Sequence, residues 1–260
     1  MQDREQRLVF GEVAELYERH RPGYPEAAFD RIMEFGQLHA GDRVLEVGAG
    51  TGRATLPLAG RGLQVTALEP SPEMARIARR STAGYPGVLV EESAFEPWPL
   101  PDQPFAVVVS AQAWHWLDPE IRFGKAHQAL RPDGGLALLW NRDNAGGDGQ
   151  DVVASAIEAV YQREAPNLGA RVPSNTAEDR QAEIETDGLF GEIQSDEYLW
   201  SVTYSTEEYL GLLQTQSDHR LLDPAVLGGL LEGIAGVLAG HGDVIQQKYR
   251  TDLYLARRLE

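Results

Sequence analysis

Val44 to Thr55 reads VLEVGAGTGRAT, and the fold turns on this stretch. Val44, Leu45 and Val47, with Glu46 among them, have the composition of a strand buried on both faces. The run leads straight into glycine at alternate positions, Gly48, Gly50 and Gly52. Glycine serves there because a Cβ would block the approach of a ligand and because tight turns demand φ > 0. A helix opening on small polar residues from Thr51 follows, and the N–H groups of a helix start suit a polar ligand. Strand, glycine turn and helix form one βα unit. A tight turn with no ligand would carry the same pattern, so the neighbouring stretches have to be weighed with it.

Working outward, the same unit repeats. A strand over 63–68 ends on Glu69-Pro70, and Ser71 then caps a helix with Pro72 at its first position. A short strand is predicted over 87–90. A proline-rich loop, Glu96 to Asp102, leads to another strand over 105–110. Asp118-Pro119 opens a helix to about Leu130, and RPDGG (131–135) turns into a strand over 136–140. Continuous apolar strands alternating with helices imply a parallel sheet covered on both faces. Upstream, a helix over 5–20 stops at Arg21-Pro22-Gly23-Tyr24-Pro25 and a second runs over 25–38. Past Asn141 the pattern changes: a glycine- and aspartate-rich loop over 142–150, helices over 151–164, 177–186, 206–216 and 224–239, an irregular stretch over 165–176, a long strand over 190–204 and a closing strand over 244–257. The 224–239 helix holds four glycines, each costing about 1 kcal/mol against alanine, so it must lean on packing.

Composition narrows the partners. A net charge of −17, from 23 basic and 40 acidic residues, disfavours a nucleic-acid surface. Only Lys125 and Lys248 are lysines, so the cations are guanidiniums suited to carboxylate or phosphate. The absence of cysteine removes disulfides, thiolate chemistry and cysteine-based zinc sites. Neither a signal core nor a membrane span is seen, and the expectation is a cytoplasmic protein.

Three nucleotide ligands compete for the glycines. A P-loop needs Lys followed by Ser or Thr after its last glycine, and Arg53-Ala54 stands there instead. A dinucleotide fingerprint needs its third glycine at 53, where Gly52 falls one residue early. The third reading uses the two carboxylates. Glu46 lies two residues before Gly48, expected to face the ligand crevice, where an anion suits an ammonium or sulfonium. Glu69, 21 residues after Gly48, ends the second strand, the place from which a carboxylate grips ribose hydroxyls. S-adenosyl-L-methionine is a positively charged nucleoside that meets both demands.

Together VLEVGAGTG, ALEPSPEM, ESAFEPWPLPDQPF, VVSAQAWHWLDP and ALRPDGGLALLW stand in the order of known motifs. With them the chain resembles the class I S-adenosylmethionine-dependent methyltransferases of small-molecule type, the group that includes trans-aconitate methyltransferase-like proteins. The resemblance covers roughly residues 10–140. It implies an α/β, Rossmann-like seven-stranded sheet, mostly parallel with an antiparallel last strand, in three αβα layers. A single methyltransferase domain over 1–260 is implied: an N-terminal helical cap (1–40), a cofactor-binding core (41–141) and substrate-side helices with closing strands (142–260). It also implies that the backbone of Gly48, Ala49, Gly50 and Gly52 holds the methionine part, with Glu46 beneath. Glu69 would take the ribose, Pro70 and Met74 would flank the nucleoside, Ala94 and Phe95 would meet adenine, and Ala111 and Gln112 would border the methionine end. Tyr17 and Tyr24 would belong to a lid, although Arg-Pro-Gly-Tyr-Pro serves equally as a hinge. Ala94 departs from the aspartate of many relatives, and Ala106 departs from another.

Methyl transfer needs an aligned nucleophile and a dry site, plus a base if the nucleophile is a hydroxyl. Trp114, His115 and Trp116 are the candidates for the reacting centre. The indoles would wall a cationic methyl group or pack in the core, and His115 would be a base, a positioning donor or a packed imidazole. Arg142, Arg171, His219 and Arg220 are candidates for an anionic substrate. No metal is expected, since no histidine has ligand spacing. The expected activity is methylation of a small molecule at a carboxylate or hydroxyl oxygen, yielding S-adenosyl-L-homocysteine. The rivals are an NAD-type oxidoreductase and a non-catalytic S-adenosylmethionine binder.

Overall fold

The computed structural model describes residues 14–143, 152–168 and 177–260. The described elements run α1 (Ala14–His20), α2 (Glu26–Gly36), β1 (Arg43–Val47), α3 (Thr55–Gly60), β2 (Gln64–Leu68), α4 (Pro72–Ser81) and β3 (Val88–Glu91). They continue β4 (Phe105–Ala111), a 3-10 turn (Trp114–Trp116), α5 (Arg122–Ala129), β5 (Leu130–Asp143), α6 (Val152–Glu164) and α7 (Ala177–Asp187). Last come β6 (Phe190–Ser205), α8 (Thr206–Gln214), α9 (Ser217–Arg220), α10 (Pro224–Ala239) and β7 (Val244–Arg258). Of the first expected helix, the part before Ala14 lies outside the described residues.

The seven strands form one sheet in the order β3-β2-β1-β4-β5-β7-β6. β1 pairs in parallel with β2 and β4, and β7 runs antiparallel to both β5 and β6. The order reverses beside β1, so the crevice at a parallel sheet's switch point opens past the carboxyl ends of β1 and β4. Alternation sends Val107 and Val109 of β4 into one buried layer with Phe29, Ile32 and Leu58, and Val108 into the other with Phe123 and Ala126, which Phe105 joins through a register shift between Phe105 and Val107. Helices therefore cover both faces.

Three expected boundaries move, each for a local reason. The helix after the glycines starts at Thr55 rather than Thr51, because Gly52 holds φ +93°, which no right-handed helix accepts. The 118–130 helix begins at Arg122, since the Asp118 carboxylate accepts from the Glu120 N–H at 2.9 Å in a turn. β5 extends to Asp143 because Asn141, Arg142 and Asp143 find ladder partners in Thr251, Arg250 and Tyr249 of β7. The short helix α9 and the 3-10 turn carry too little periodicity to be seen in sequence.

The paired strands β6 and β7 run past the end of β5, with Ser201–Ser205 against Lys248–Val244. This projecting strand pair carries its own apolar layer, shared with α6, α8 and α10. In α10, Leu230, Ile234 and Leu238 recur at helical spacing and are fully buried. A Cβ at Gly233 would lie 2.7 Å from Val160 Cγ1, so glycine there permits the close approach of α10 to α6. That contact is the packing on which the glycine-rich helix depends.

Candidate functional site

At the carboxyl end of β1 the chain turns on two backbone donors, Gly48 N and Ala49 N, both directed at Leu68 O at 2.9 and 3.0 Å. Gly48 (φ +74°) and Gly50 (φ +58°) adopt the left-handed region. A Cβ on Gly48 would collide with Ala113 Cβ, whereas one on Gly50 would meet nothing within 4 Å, so Gly50 faces open cleft. Glu69 is fixed by the same turn: Gly50 N donates to Oε2 at 2.8 Å and Ser71 N to Oε1 at 2.8 Å. Two backbone donors set the plane of the carboxylate, whose oxygens have further accepting capacity.

Around this turn lies a cleft lined by ten of the sequence-predicted residues: Tyr17, Gly48, Gly50, Glu69, Pro70, Met74, Phe95, Ala111, Gln112 and Trp116. Val47, Ser93, Ala113 and Leu117 also line it, and sequence reasoning missed them. Ala49 and Gly52 shape the turn without lining the cleft, and Ser93 and Phe95 face it on either side of Ala94. Tyr17 reaches the cleft because α1 is tied down. Arg53 donates to Glu18 O, and Arg76 and Arg80 donate to the Glu15 carboxylate at 2.8 and 2.9 Å.

Glu46 lies beneath the turn, as the resemblance implies, but departs from the expectation of a carboxylate open to the crevice. It is completely buried under the floor rather than facing the crevice. Thr55 Oγ1 donates to its Oε2 at 2.6 Å, while Oε1 has no partner. Burial, opposed by the Thr55 hydrogen bond and aided by nearby Glu69, pushes the carboxyl up to about 8. At neutral pH it therefore holds its proton unless a cation binds beside it.

Four other expectations need correction. Trp114 belongs to the core, 1% exposed and edge-on to Phe123 at 5.1 Å, and lines none of the cavities described. His115 lines none of the cavities described. Its Nδ1 accepts from Trp140 Nε1 at 3.3 Å, which in the neutral ring leaves the proton on Nε2 and no lone pair for base catalysis. The ring keeps an accessible edge, yet desolvation, with Arg180 and Arg122 adding to it, pushes it down to about 4. Arg142 faces away from the cavities and pairs with Asp252 at 3.0 Å, because its neighbours Asn141 and Asp143 take the cavity side of the strand. Arg171 lies outside the described residues. His219 is held by Asp218 and Tyr161 rather than left available to an anion.

Beyond the cleft, Tyr17 and Gln112 are shared with a second cavity lined by Arg21, Tyr24, Asn141, Asp143, Leu212, Gln216 and Tyr249. Gln112 sits at φ +59°, a strained conformation costing about 1–3 kcal/mol, and is held there by Nε2 donating to Asn141 O at 2.8 Å. Asn141 in turn donates to Gly23 O at 2.8 Å and accepts from Thr251 Oγ1 at 2.6 Å, joining the lid segment to the sheet. Asp143, Leu212 and Gln216 are shared onward with a third cavity of about 310 Å³ beside the projecting strand pair. The polar Asn141 and Asp143 directly after the apolar run 136–140 are the sequence signal available for the second cavity. Among the described residues no group of His, Asp or Glu side chains could hold a metal ion, and no helix is long and apolar enough to cross a membrane.

A family profile described as "Methyltransferase domain" matches residues 44–134. An uncharacterized methyltransferase of Mycobacterium tuberculosis is 41% identical over 138 residues, covering 53% of this chain and 54% of the relative. The chain thus spans about half the length of the mycobacterial relatives it matches. An uncharacterized methyltransferase of Geobacillus kaustophilus is 35% identical over 164 residues, covering 60% of this chain and 74% of the relative. Among solved structures, a proposed type II methyltransferase of Anaeromyxobacter dehalogenans aligns with TM-score 0.65 at 22% identity, covering 92% of this chain and 98% of that one. A Haemonchus contortus phosphoethanolamine N-methyltransferase in complex with S-adenosyl-L-methionine aligns with TM-score 0.51 at 18% identity, covering 90% of this chain and 52% of that one. Fold, glycine turn and these similarities together define an α/β methyltransferase. The chain belongs to the class I S-adenosylmethionine-dependent methyltransferases, whose cofactor is S-adenosyl-L-methionine. The residues fit that group: a glycine floor open at Gly50, a backbone-fixed carboxylate at Glu69, and a buried acid whose unpartnered oxygen would gain from a cation overhead.

Proposed function

We propose that the protein methylates a small molecule at oxygen, using S-adenosyl-L-methionine held in the cleft between α1 and the ends of β1, β2 and β4. The observation that carries this reading is continuity: Tyr17 and Gln112 form one wall of the glycine cleft and one wall of the next cavity, so a donor and an acceptor would meet there. When bound, the cofactor supplies a methyl group already activated on sulfur. The chain's own work is to bind, orient and exclude water. Gly48 and Gly50 give the methionine end a bare backbone floor, Glu69 takes the ribose hydroxyls, and Met74 and Phe95 supply apolar contact for the nucleoside.

Tyr17, Tyr24 and Trp116 close the acceptor side against water. Asp143 is our choice of proton acceptor for a hydroxyl, in place of His115. It stands where the second and third cavities join. Although the residue is exposed, desolvation of its carboxyl raises it above its usual range, Arg21 and His219 oppose that and Asp218 adds to it. A carboxyl raised toward neutrality is a better base.

Titration calorimetry with S-adenosyl-L-methionine, S-adenosyl-L-homocysteine and NAD tests the cofactor, and methyl-label transfer into a small-metabolite extract tests the activity. Labelled product with the label on oxygen is expected. Binding of NAD in place of both sulfur nucleosides would sink the reading, and binding of the nucleosides with no transfer would make the protein a binder.

A further inference from the structure

The third cavity ends on a hydrogen-bonded chain that the methyl-transfer reading does not use. Asp218 Oδ1 lies 2.8 Å from His219 Nδ1, and His219 Nε2 lies 2.8 Å from the Tyr161 hydroxyl. His219 is 3% exposed, and its ring stands at 90° to that of Tyr161, centroids 5.7 Å apart. All three residues line the cavity.

The direction of the two hydrogen bonds follows from chemistry. Burial would raise the Asp218 carboxyl, but the side-chain hydrogen bond of His219, its charge when protonated and its backbone N–H outweigh that and hold the carboxyl below its usual range. Asp218 is therefore an acceptor only, and Nδ1 must carry the imidazole proton. In the neutral ring Nε2 is then a bare lone pair, and the Tyr161 hydroxyl must donate to it. While the ring is neutral, that hydroxyl's one proton is spent on His219, so what Tyr161 turns toward the cavity is oxygen lone pairs. Burial raises the phenol further, keeping Tyr161 neutral rather than a phenolate. Among the described residues, the charged side chains lining this cavity are Asp143, Glu158 and Asp218, all acidic. Tyr209, Gln216 and Gln247 can donate or accept and set no polarity of their own.

We propose that the Asp218–His219–Tyr161 chain makes this wall a hydrogen-bond acceptor that selects methyl acceptors bearing donor groups, hydroxyl or ammonium, and rejects carboxylates. The proposal rests on the methyl-transfer reading for calling the cavity an acceptor site, and it narrows that reading from carboxylate or hydroxyl to hydroxyl. Tyr161 and His219 are specificity residues here and take part in no bond-making step.

The test uses three probes of one shape: naphthylmethanol, naphthylmethylammonium and naphthoate. Their binding to the full chain is measured by ligand-observed NMR at pH 8, with and without saturating S-adenosyl-L-homocysteine. The alcohol and the ammonium should bind at least tenfold more tightly than naphthoate. Tyr161→Phe should cost the alcohol at least fivefold and leave naphthoate unchanged. His219→Leu frees the Tyr161 proton to point into the cavity, so naphthoate should gain while the alcohol loses. A purely structural role would weaken all three probes together and could not reverse their ranking. Naphthoate binding the wild-type chain as tightly as the other two, or a ranking unmoved by both substitutions, would overturn the proposal. If S-adenosyl-L-homocysteine fails to bind while the ranking holds, the methyl-transfer reading falls and the polarity of the wall stands.

Discussion

The two ends of the proposed site are built from different materials. The glycine cleft is made chiefly of backbone: φ values at Gly48 and Gly50, N–H groups on Leu68 O, and N–H groups that aim Glu69. The chamber beside the projecting strand pair is made of side chains from β5, α6, α8, α9 and β7 that meet only through the tertiary fold. A backbone device tolerates few residue types at fixed spacing, so one ligand stays attached to it. A side-chain device can be rewritten one residue at a time without disturbing the sheet. The contrast predicts that changes at the first end remove all binding, and that changes at the second redirect it.

The largest effect should come from Glu69→Ala. Hydrogen bonds to a charged group contribute about 1.5–3 kcal/mol each, so losing a two-hydroxyl grip should weaken S-adenosyl-L-methionine at least about 100-fold by calorimetry. The Gly50 and Ser71 N–H groups lose their acceptor as well, so a lower melting temperature should accompany the change. Cofactor affinity within about threefold of wild type would refute the ribose assignment. Gly48→Ala should come next, destabilising the fold by about 1–3 kcal/mol through the collision with Ala113 and the strain at φ +74°. Gly23→Ala is the control: a Cβ there meets nothing within 4 Å, and denaturant midpoints should barely move. Equal losses for the two would mean that the floor is not fixed by its glycines.

The same contrast explains what could be read from sequence. Strand, turn and cap signals in the first 140 residues are local, so the alternating layers, Ser71 as a cap and the glycine turn followed from spacing alone. The acceptor side was legible only as a change of pattern. Asp143, Tyr161 and His219 are far apart in the chain and are brought to one wall by β5, α6 and α9, and no periodicity records that. Arg142 misled for a related reason: on a strand the neighbour of a cavity residue points away from the cavity. Glu46 lies beneath the glycine turn, as the resemblance implies, but not as a carboxylate open to the crevice. The strand's apolar neighbours gave no sign that its carboxyl would be sealed in against Thr55.

Glu46 offers a smaller, pH-dependent effect. Its carboxyl is raised from an ordinary 4.5 to about 8, so between those values the folded chain holds a proton that the unfolded chain has released. Stability should therefore fall as pH rises across that window and level off above it. Glu46→Gln removes the titration. The wild-type melting temperature should drop by at least about 2 °C more than the variant's between pH 5 and pH 8, since 1 kcal/mol corresponds to about 2–4 °C at this size. Ionisation also favours a cation overhead. The preference for S-adenosyl-L-methionine over uncharged S-adenosyl-L-homocysteine should grow from pH 7 to pH 9 in the wild type and stay flat in the variant. A flat wild-type ratio would separate Glu46 from the sulfonium.

The smallest effect is expected where the sequence placed the chemistry. His115→Ala should change cofactor affinity less than about twofold and leave methyl-label transfer near the wild-type rate, because the ring lies outside the cavities and its Nδ1 is committed to Trp140. The cost should appear in stability instead. Trp140 is 4% exposed, and leaving its indole N–H without an acceptor should cost about 1–3 kcal/mol in denaturant unfolding. His115→Gln, which restores an acceptor, should recover most of it. If His115→Ala instead abolished transfer while stability and cofactor binding held, the base would lie beside Trp116 at the first end of the site. Asp143 would then lose its role, and the division between a backbone-built donor end and a side-chain-built acceptor end would have to be redrawn around the 3-10 turn.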